Sequence, residues 1–232
     1  MTYKNFLILM GMFYFPLQLF SMDLNQLMLE DGFEISIFAE NLDSPRQMAE
    51  GKNGTIFVAE RSGQVIGLID SDSNGQVDQK IVIANSLTYS TGLSLFNGDL
   101  YFSEISKIWK IEEVEKWIST YTIDSSLPAK ILVVDNLPDD QWHGWKWLKH
   151  DQEGGLYFNI GAPCNICLSK NPQYASILKY QYGQLNYIAK GVRNSVGFDF
   201  HPISKKLFFT DNGRDWLGDD SPSCELNRVD VD

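Results

Sequence analysis

The sequence predicts an all-β chain built from a repeated antiparallel unit. Three observations carry this. A strand-turn-strand pattern recurs four times, at residues 47–60, 92–104, 147–159 and 198–211. Each copy has a short apolar strand, a polar turn, and a second strand opening Ile/Leu-aromatic. Two of the turns carry Asn-Gly (Asn53-Gly54, Asn97-Gly98) and one Gly-Gly (Gly154-Gly155), which are strong hairpin signals. Helical periodicity is confined to one candidate, Glu112 to Ser119.

Taking Ile56, Leu100, Leu156 and Leu207 as equivalent, the copies are spaced by 44, 56 and 51 residues. That period is close to the four-stranded blade of a β-propeller. Further strands fill the gaps: Gly63 to Asp70, Gln79 to Asn85, Lys130 to Val134 and Ser176 to Tyr182. The fourth copy shows two strands, so about four blades are expected, as part of a larger ring. Closed rings of this kind run from about four to eight blades.

The N-terminus predicts a secretory signal over residues 1–21, leaving 22–232 as the propeller domain. Lys4 supplies a positive start, Phe6 to Phe20 is nearly unbroken apolar sequence, and Ser21 is a small residue at the cleavage point. The apolar run is shorter than the roughly twenty residues of a spanning helix. The expectation is a periplasmic or secreted protein without stable membrane insertion.

The chain has 232 residues and a formal net charge of −11, which argues against a nucleic-acid partner. Of three cysteines, Cys164 and Cys167 predict a local disulfide and Cys224 is left over. A zinc site would need a second Cys pair or suitably spaced His, and neither is present.

Residues 70–78, DSDSNGQVD, start like a calcium loop, but Ile81 stands where a bidentate Glu is required. A polar hairpin is the expectation there. His143 lies in a loop, Asp139 to Trp145, flanked by acidic and aromatic residues. Its reference pKa near neutrality suits a general base, and a hydrogen-bonded structural His suits the spacing equally well. Trp145 and Trp147 are expected on one face of a strand, with core packing the favoured reading and stacking on a sugar ring the alternative. His201-Pro202 is expected to be structural. Arg193-Asn194 offers a guanidinium fork beside a polar loop. Asp211-Asn212-Gly213-Arg214-Asp215, with Asp219, Asp220 and Glu225, reads equally as a hard-cation environment or a solvated acidic loop.

The elements His143-Gly144, Gly161-Ala162-Pro163-Cys164-Asn165-Ile166-Cys167, Gly191-Val192-Arg193-Asn194-Ser195-Val196-Gly197 and Asp211 to Asp215 running into Glu225-Leu226-Asn227 together resemble the glucose/sorbosone dehydrogenase family. These are soluble quinoproteins that use pyrroloquinoline quinone (PQQ). The resemblance covers roughly Phe33 to Asp232. It implies a six-bladed propeller with the cofactor on its top face, near the axis. It implies an oxidoreductase that oxidises an aldose or sorbosone-type sugar and hands electrons to an external acceptor. His143 would be the catalytic base, and Arg193 would contact the quinone oxygens and stabilise charge there. Asn194 would line the cofactor pocket. Gly213 and Arg214 would offer main-chain carbonyls to a Ca²⁺ ion that clamps the cofactor. A propeller that only binds protein or glycan shares the repeats without this constellation.

Overall fold

The computed structural model describes residues 24–230, so the expected signal segment 1–21 lies outside the described residues. The chain divides into two units, Met1–Ile37 and Phe38–Asp232. In the first, a 3-10 turn spans Leu24–Gln26, closed by Leu27 N–H donating to the Leu24 carbonyl at 3.1 Å, and an irregular segment follows.

The second unit is the expected propeller arrangement, all-β apart from one short helix. Four sheets follow one another, each a simple meander with strands paired in chain order. The first holds β1 (Pro45–Glu50), β2 (Ile56–Glu60), β3 (Gln64–Ile69) and β4 (Gln79–Ala84). The second holds β5 (Leu93–Phe96), β6 (Asp99–Ser103), β7 (Ile108–Ile111) and β8 (Ile131–Val134), with helix α1 (Val114–Ser119) between the last two. The third holds β9 (Leu148–His150), β10 (Leu156–Ile160), β11 (Ser176–Gln181) and β12 (Gln184–Lys190). The fourth holds β13 (Phe198–Phe200), β14 (Leu207–Asp211) and β15 (Glu225–Val229).

The fourth sheet therefore has a third strand where the sequence predicted two. Three strands escaped the sequence reading, each for a physical reason. β7 is four residues long, too short to show a period. β12 and β15 are polar and largely exposed edge strands, without an alternating apolar face. The β11–β12 hairpin closes on Tyr182 (φ 52°) and Gly183 (φ 77°), a pair of positive φ values. The β5–β6 hairpin does the same with Asn97 and Gly98 (φ 52° and 89°). Asn-Gly advertises that turn; a bulky Tyr in the first position hides it.

Period-two alternation packs each sheet on its neighbours. Phe57 and Ala59 of β2 point into one core with Leu93, Leu100 and Phe102 of the second sheet, while Val58 points the other way onto Ile66 and Leu68. Leu156 and Phe158 of β10 join Ile108, Val134 and Leu148, and Tyr157 between them faces Phe198, Leu207 and Phe209 of the fourth sheet. Helix α1 docks by Val114, Trp117 and Ile118 on the first of these cores. Residues 70–78 form the expected polar hairpin loop. Asp70 accepts from the Asn74 and Gly75 N–H groups, and Asp78 from Ser71, while carboxylate oxygens of Asp70, Asp72 and Asp78 lie within 4.8 Å of one another.

His150 on β9 is structural. Its ring stacks on Phe96 at 5.0 Å and meets Tyr101 edge-on at 4.4 Å, and Nδ1 lies 2.8 Å from Ser94 Oγ. Burial pulls its pKa down to about 4. The unfolded chain protonates this ring near pH 6.5 and the folded chain only near 4, so the stability it contributes is complete above pH 6.5 and drains away between the two. The full loss is on the order of 3 kcal/mol. Denaturant melts at pH 7.5 and 5 should therefore show a pH-dependent loss in the wild type that is largely absent in His150→Asn.

Candidate active site

Residues at the start of, or just before, the first strand of each sheet converge on one cleft of about 590 Å³. β1 contributes Pro45, Arg46 and Gln47, and Thr91 precedes β5. The segment from Gln141 to Trp147 precedes β9, and Asn194 to Val196 precede β13. Four homologous positions of the repeat thus build the site.

Gln47 holds its floor. This side chain is 6% exposed, and its Oε1 accepts from Leu93 N–H and Leu148 N–H, each at 3.0 Å. Its Nε2 donates to the Leu148 carbonyl at 2.8 Å, so one amide links β1, β5 and β9. Thr91 and Asn159 brace the segment before β9. Thr91 Oγ1 accepts from Lys146 N–H at 3.1 Å, and Asn159 Oδ1 accepts from Trp147 N–H at 2.7 Å.

His143 lines the cleft in a left-handed conformation, φ 50°. Its Nδ1 lies 2.8 Å from the Ala162 carbonyl, which can only accept. The proton therefore sits on Nδ1 in the neutral ring, and the basic lone pair is on Nε2. Gly161 N–H donates to the His143 carbonyl at 3.2 Å, and Ala162 N–H to the Arg193 carbonyl at 2.7 Å. A Cβ at Gly161 would run into His143 Cβ, so this close approach requires glycine. The segment 161–162 is thus the rung between the His143 loop and the Arg193 loop.

Asn194 lines the cleft with His143. Arg193 does not; its guanidinium is spent within the protein. Nε donates to the Asn165 carbonyl at 3.0 Å and Nη2 to Asn165 Oδ1 at 2.7 Å. Nη1 donates to the Asn212 and Gly213 carbonyls at 2.9 and 2.8 Å, and Asp215 lies at 3.5 Å. Arg193 staples the loop of the Cys164–Cys167 disulfide to the loop after β14. The Gly213 carbonyl, expected to face calcium, is held by this guanidinium instead, and Arg214 is exposed. The Arg193 and Asn194 N–H groups both donate to the Asp211 carboxylate, at 3.0 and 2.8 Å, which fixes the turn before β13.

Trp145 and Trp147 are not on a strand face but in the segment before β9. Trp147 Nε1 donates to the Phe198 carbonyl at 3.0 Å. The Trp145 ring carries two cations, Arg46 at 4.9 Å and Arg61 at 4.3 Å. Among the described residues neither guanidinium has a carboxylate partner, on a chain of net charge −11. Lys146, between the two Trp, is 3% exposed and also lacks one. Composition hid these cations, because single basic residues next to Trp, Pro or Glu carry no motif. Cys224 is free and exposed. His201 is structural as expected, its Nδ1 accepting from Ile203 and Ser204 N–H.

The sequence profile of the family described as TrAA12-like matches residues 27–228. The chain belongs to the TrAA12-like family. An uncharacterized protein of Borreliella burgdorferi is 31% identical over 211 residues, 88% of this chain and 54% of that protein. An iodide structure of the Trichoderma reesei family AA12 enzyme superposes with TM-score 0.73 at 19% identity, covering 88% of this chain and 56% of that one. The holo PQQ domain of Coprinopsis cinerea pyranose dehydrogenase gives TM-score 0.68 at 18% identity, with 88% and 51% covered. A PQQ-bound aldose sugar dehydrogenase from Streptomyces coelicolor gives 0.62 at 18% identity, with 84% and 62% covered. The TrAA12-like chain thus spans about half the length of these similar proteins, and shares the fold of the solved structures.

In this TrAA12-like propeller the cleft stands or falls with the Gln47 amide. Gln47→Leu keeps the volume but orphans buried N–H groups on β5 and β9, each costing about 1–3 kcal/mol. Chemical denaturation should show a loss of about 2–5 kcal/mol, with Gln47→Glu, which retains an acceptor, falling in between.

Proposed function

We propose that this chain is the cofactor-binding part of a PQQ-dependent oxidoreductase acting on an aldose or pyranose-type sugar, with His143 as the base. The observation that carries the reading is the pairing, in one cleft, of a His whose Nε2 has no partner among the described residues with Arg46, which shares the Trp145 indole with Arg61; neither guanidinium has a carboxylate partner among the described residues. PQQ is a planar tricarboxylate, and this donor set fits it: Arg46 and Arg61 would hold carboxylates, and Trp145 and Asn194 would border the ring system. The named relatives, a pyranose dehydrogenase PQQ domain and a PQQ-bound aldose sugar dehydrogenase, point the same way.

Oxidising a sugar hydroxyl removes a proton from oxygen and a hydride from carbon. The bound quinone supplies the two-electron acceptor. His143 takes the hydroxyl proton at Nε2, and the Ala162 carbonyl on Nδ1–H steadies the imidazolium that forms. Electrons pass on to an external acceptor, and the expected signal segment would place the reaction in the periplasm or outside the cell. Calcium does not fit the expected ligands, since Arg193 already occupies the Gly213 carbonyl, and no step is routed through it. Arg193 serves here by holding the loops around the cleft.

The test is a titration of the purified chain with PQQ, followed by Trp fluorescence, and then turnover of aldoses with a dye acceptor. Binding is expected in the wild type and weakened at least tenfold in Arg46→Ala/Arg61→Ala. His143→Ala should bind but lose about 10²–10⁴ in rate. Absence of PQQ binding, or full turnover in His143→Ala, overturns the reading; binding without turnover in the wild type leaves a non-catalytic binding propeller.

A further inference from the structure

Lys146 has no place in the chemistry above, yet it is among the most deeply buried charged side chains of the propeller, 3% exposed. Its ammonium ends on two main-chain carbonyls, Ile105 O and Gly144 O, the latter at 3.0 Å. Gly144 directly follows His143. Ile105 sits in the tight β6–β7 connection of the neighbouring blade, whose Glu104 N–H donates to the Lys107 carbonyl at 2.8 Å. The Lys146 backbone is tied to the same blade, through Thr91 Oγ1 on both its N–H and its carbonyl. A buried cation with no carboxylate partner is expensive, and an apolar side chain of the same length would pack there at lower cost. The placement therefore needs a reason, and the two carbonyls name it.

We propose that Lys146 is a positioning residue for His143: by pinning the Gly144 carbonyl to the β6–β7 connection, it holds the left-handed His143 turn in the one setting where Nδ1 reaches Ala162 O and Nε2 stays unpartnered. His143 is then gripped from both sides. Gly161 and Ala162 hold it from the third blade, and Lys146 holds its following peptide from the second.

Burial pulls the Lys146 pKa down to about 7. This does not loosen the pin. An ammonium has three N–H donors and a neutral amine two, and the two carbonyls require two. The charged neighbours on the packed elements are otherwise engaged or turned to solvent. Glu104 accepts from Thr88 N–H and Trp109 Nε1, Asp140 accepts from Tyr174, Lys107 lies against the Trp109 ring, and Asp139 is exposed.

The inference rests on His143 being the base, but its first readout needs no turnover. Long-range ¹⁵N correlation spectra of the His143 ring, on the whole chain at pH 8.5, report the tautomer directly. The wild type should show a single Nδ1–H form. Lys146→Met should show both tautomers, and in the PQQ-loaded protein a kcat roughly 10–100-fold lower with KM within about threefold, the size of effect a small misplacement produces. Lys146→Gln reaches only one carbonyl and should show a smaller change of the same kind; it decides the matter if Lys146→Met lacks a cooperative melt. A His143 tautomer in either folded variant identical to wild type overturns the proposal. A wild type with the single tautomer but no turnover overturns the oxidoreductase reading and leaves the positioning role standing.

Discussion

Gln47 carries three hydrogen bonds that no backbone ladder of this molecule could supply. Inner strands of adjacent blades lie side by side but do not pair with one another; each pairs only within its own sheet. Leu93 and Leu148 are fully buried, and there an unpaired N–H or C=O group costs about as much as a lost hydrogen bond. One neutral amide on β1 satisfies Leu93 on β5 and both groups of Leu148 on β9. The apolar packing between sheets sets how closely the blades approach, and the Gln47 amide sets their angular register about the axis.

The parts of the cleft supplied by the first three sheets are referred to that register. His143, Lys146 and Trp145 precede β9, Thr91 precedes β5, and Arg46 is the neighbour of Gln47 itself. A shift of one inner strand would separate Arg46 from the Trp145 ring and Thr91 from Lys146 together. The loop before β13 is set independently, through Asp211 and the Arg193 guanidinium. This division explains why Arg193 is unavailable to a ligand: the fourth sheet joins the site through hydrogen bonds to a loop, and that guanidinium makes four of them.

The fold was largely legible because hairpin turns and alternation are local properties. Asn97-Gly98 needs no partner to announce a turn, and Leu100-Tyr101-Phe102 shows both of its faces in sequence. The site was legible where a residue type is rare, as with His143, and Asn194 was found through the motif around it. It was illegible where function depends on what a side chain fails to meet. Arg193 looked free in sequence and is fully bonded in space, while Arg46 and Arg61 belong to no motif and lack carboxylate partners among the described residues. Lys146 and Gln47 act across 41 and 101 residues of sequence separation, and no local pattern encodes such bonds.

On the function proposed above, the cleft at the inner strands binds a planar polyanion. A crystal structure of the chain grown with PQQ tests it most directly. Ligand density is expected in the cleft beside Trp145 and His143, with Arg46 or Arg61 on its carboxylates and Gln47 unmoved. Density elsewhere on the propeller, with this cleft filled only by solvent, would contradict it.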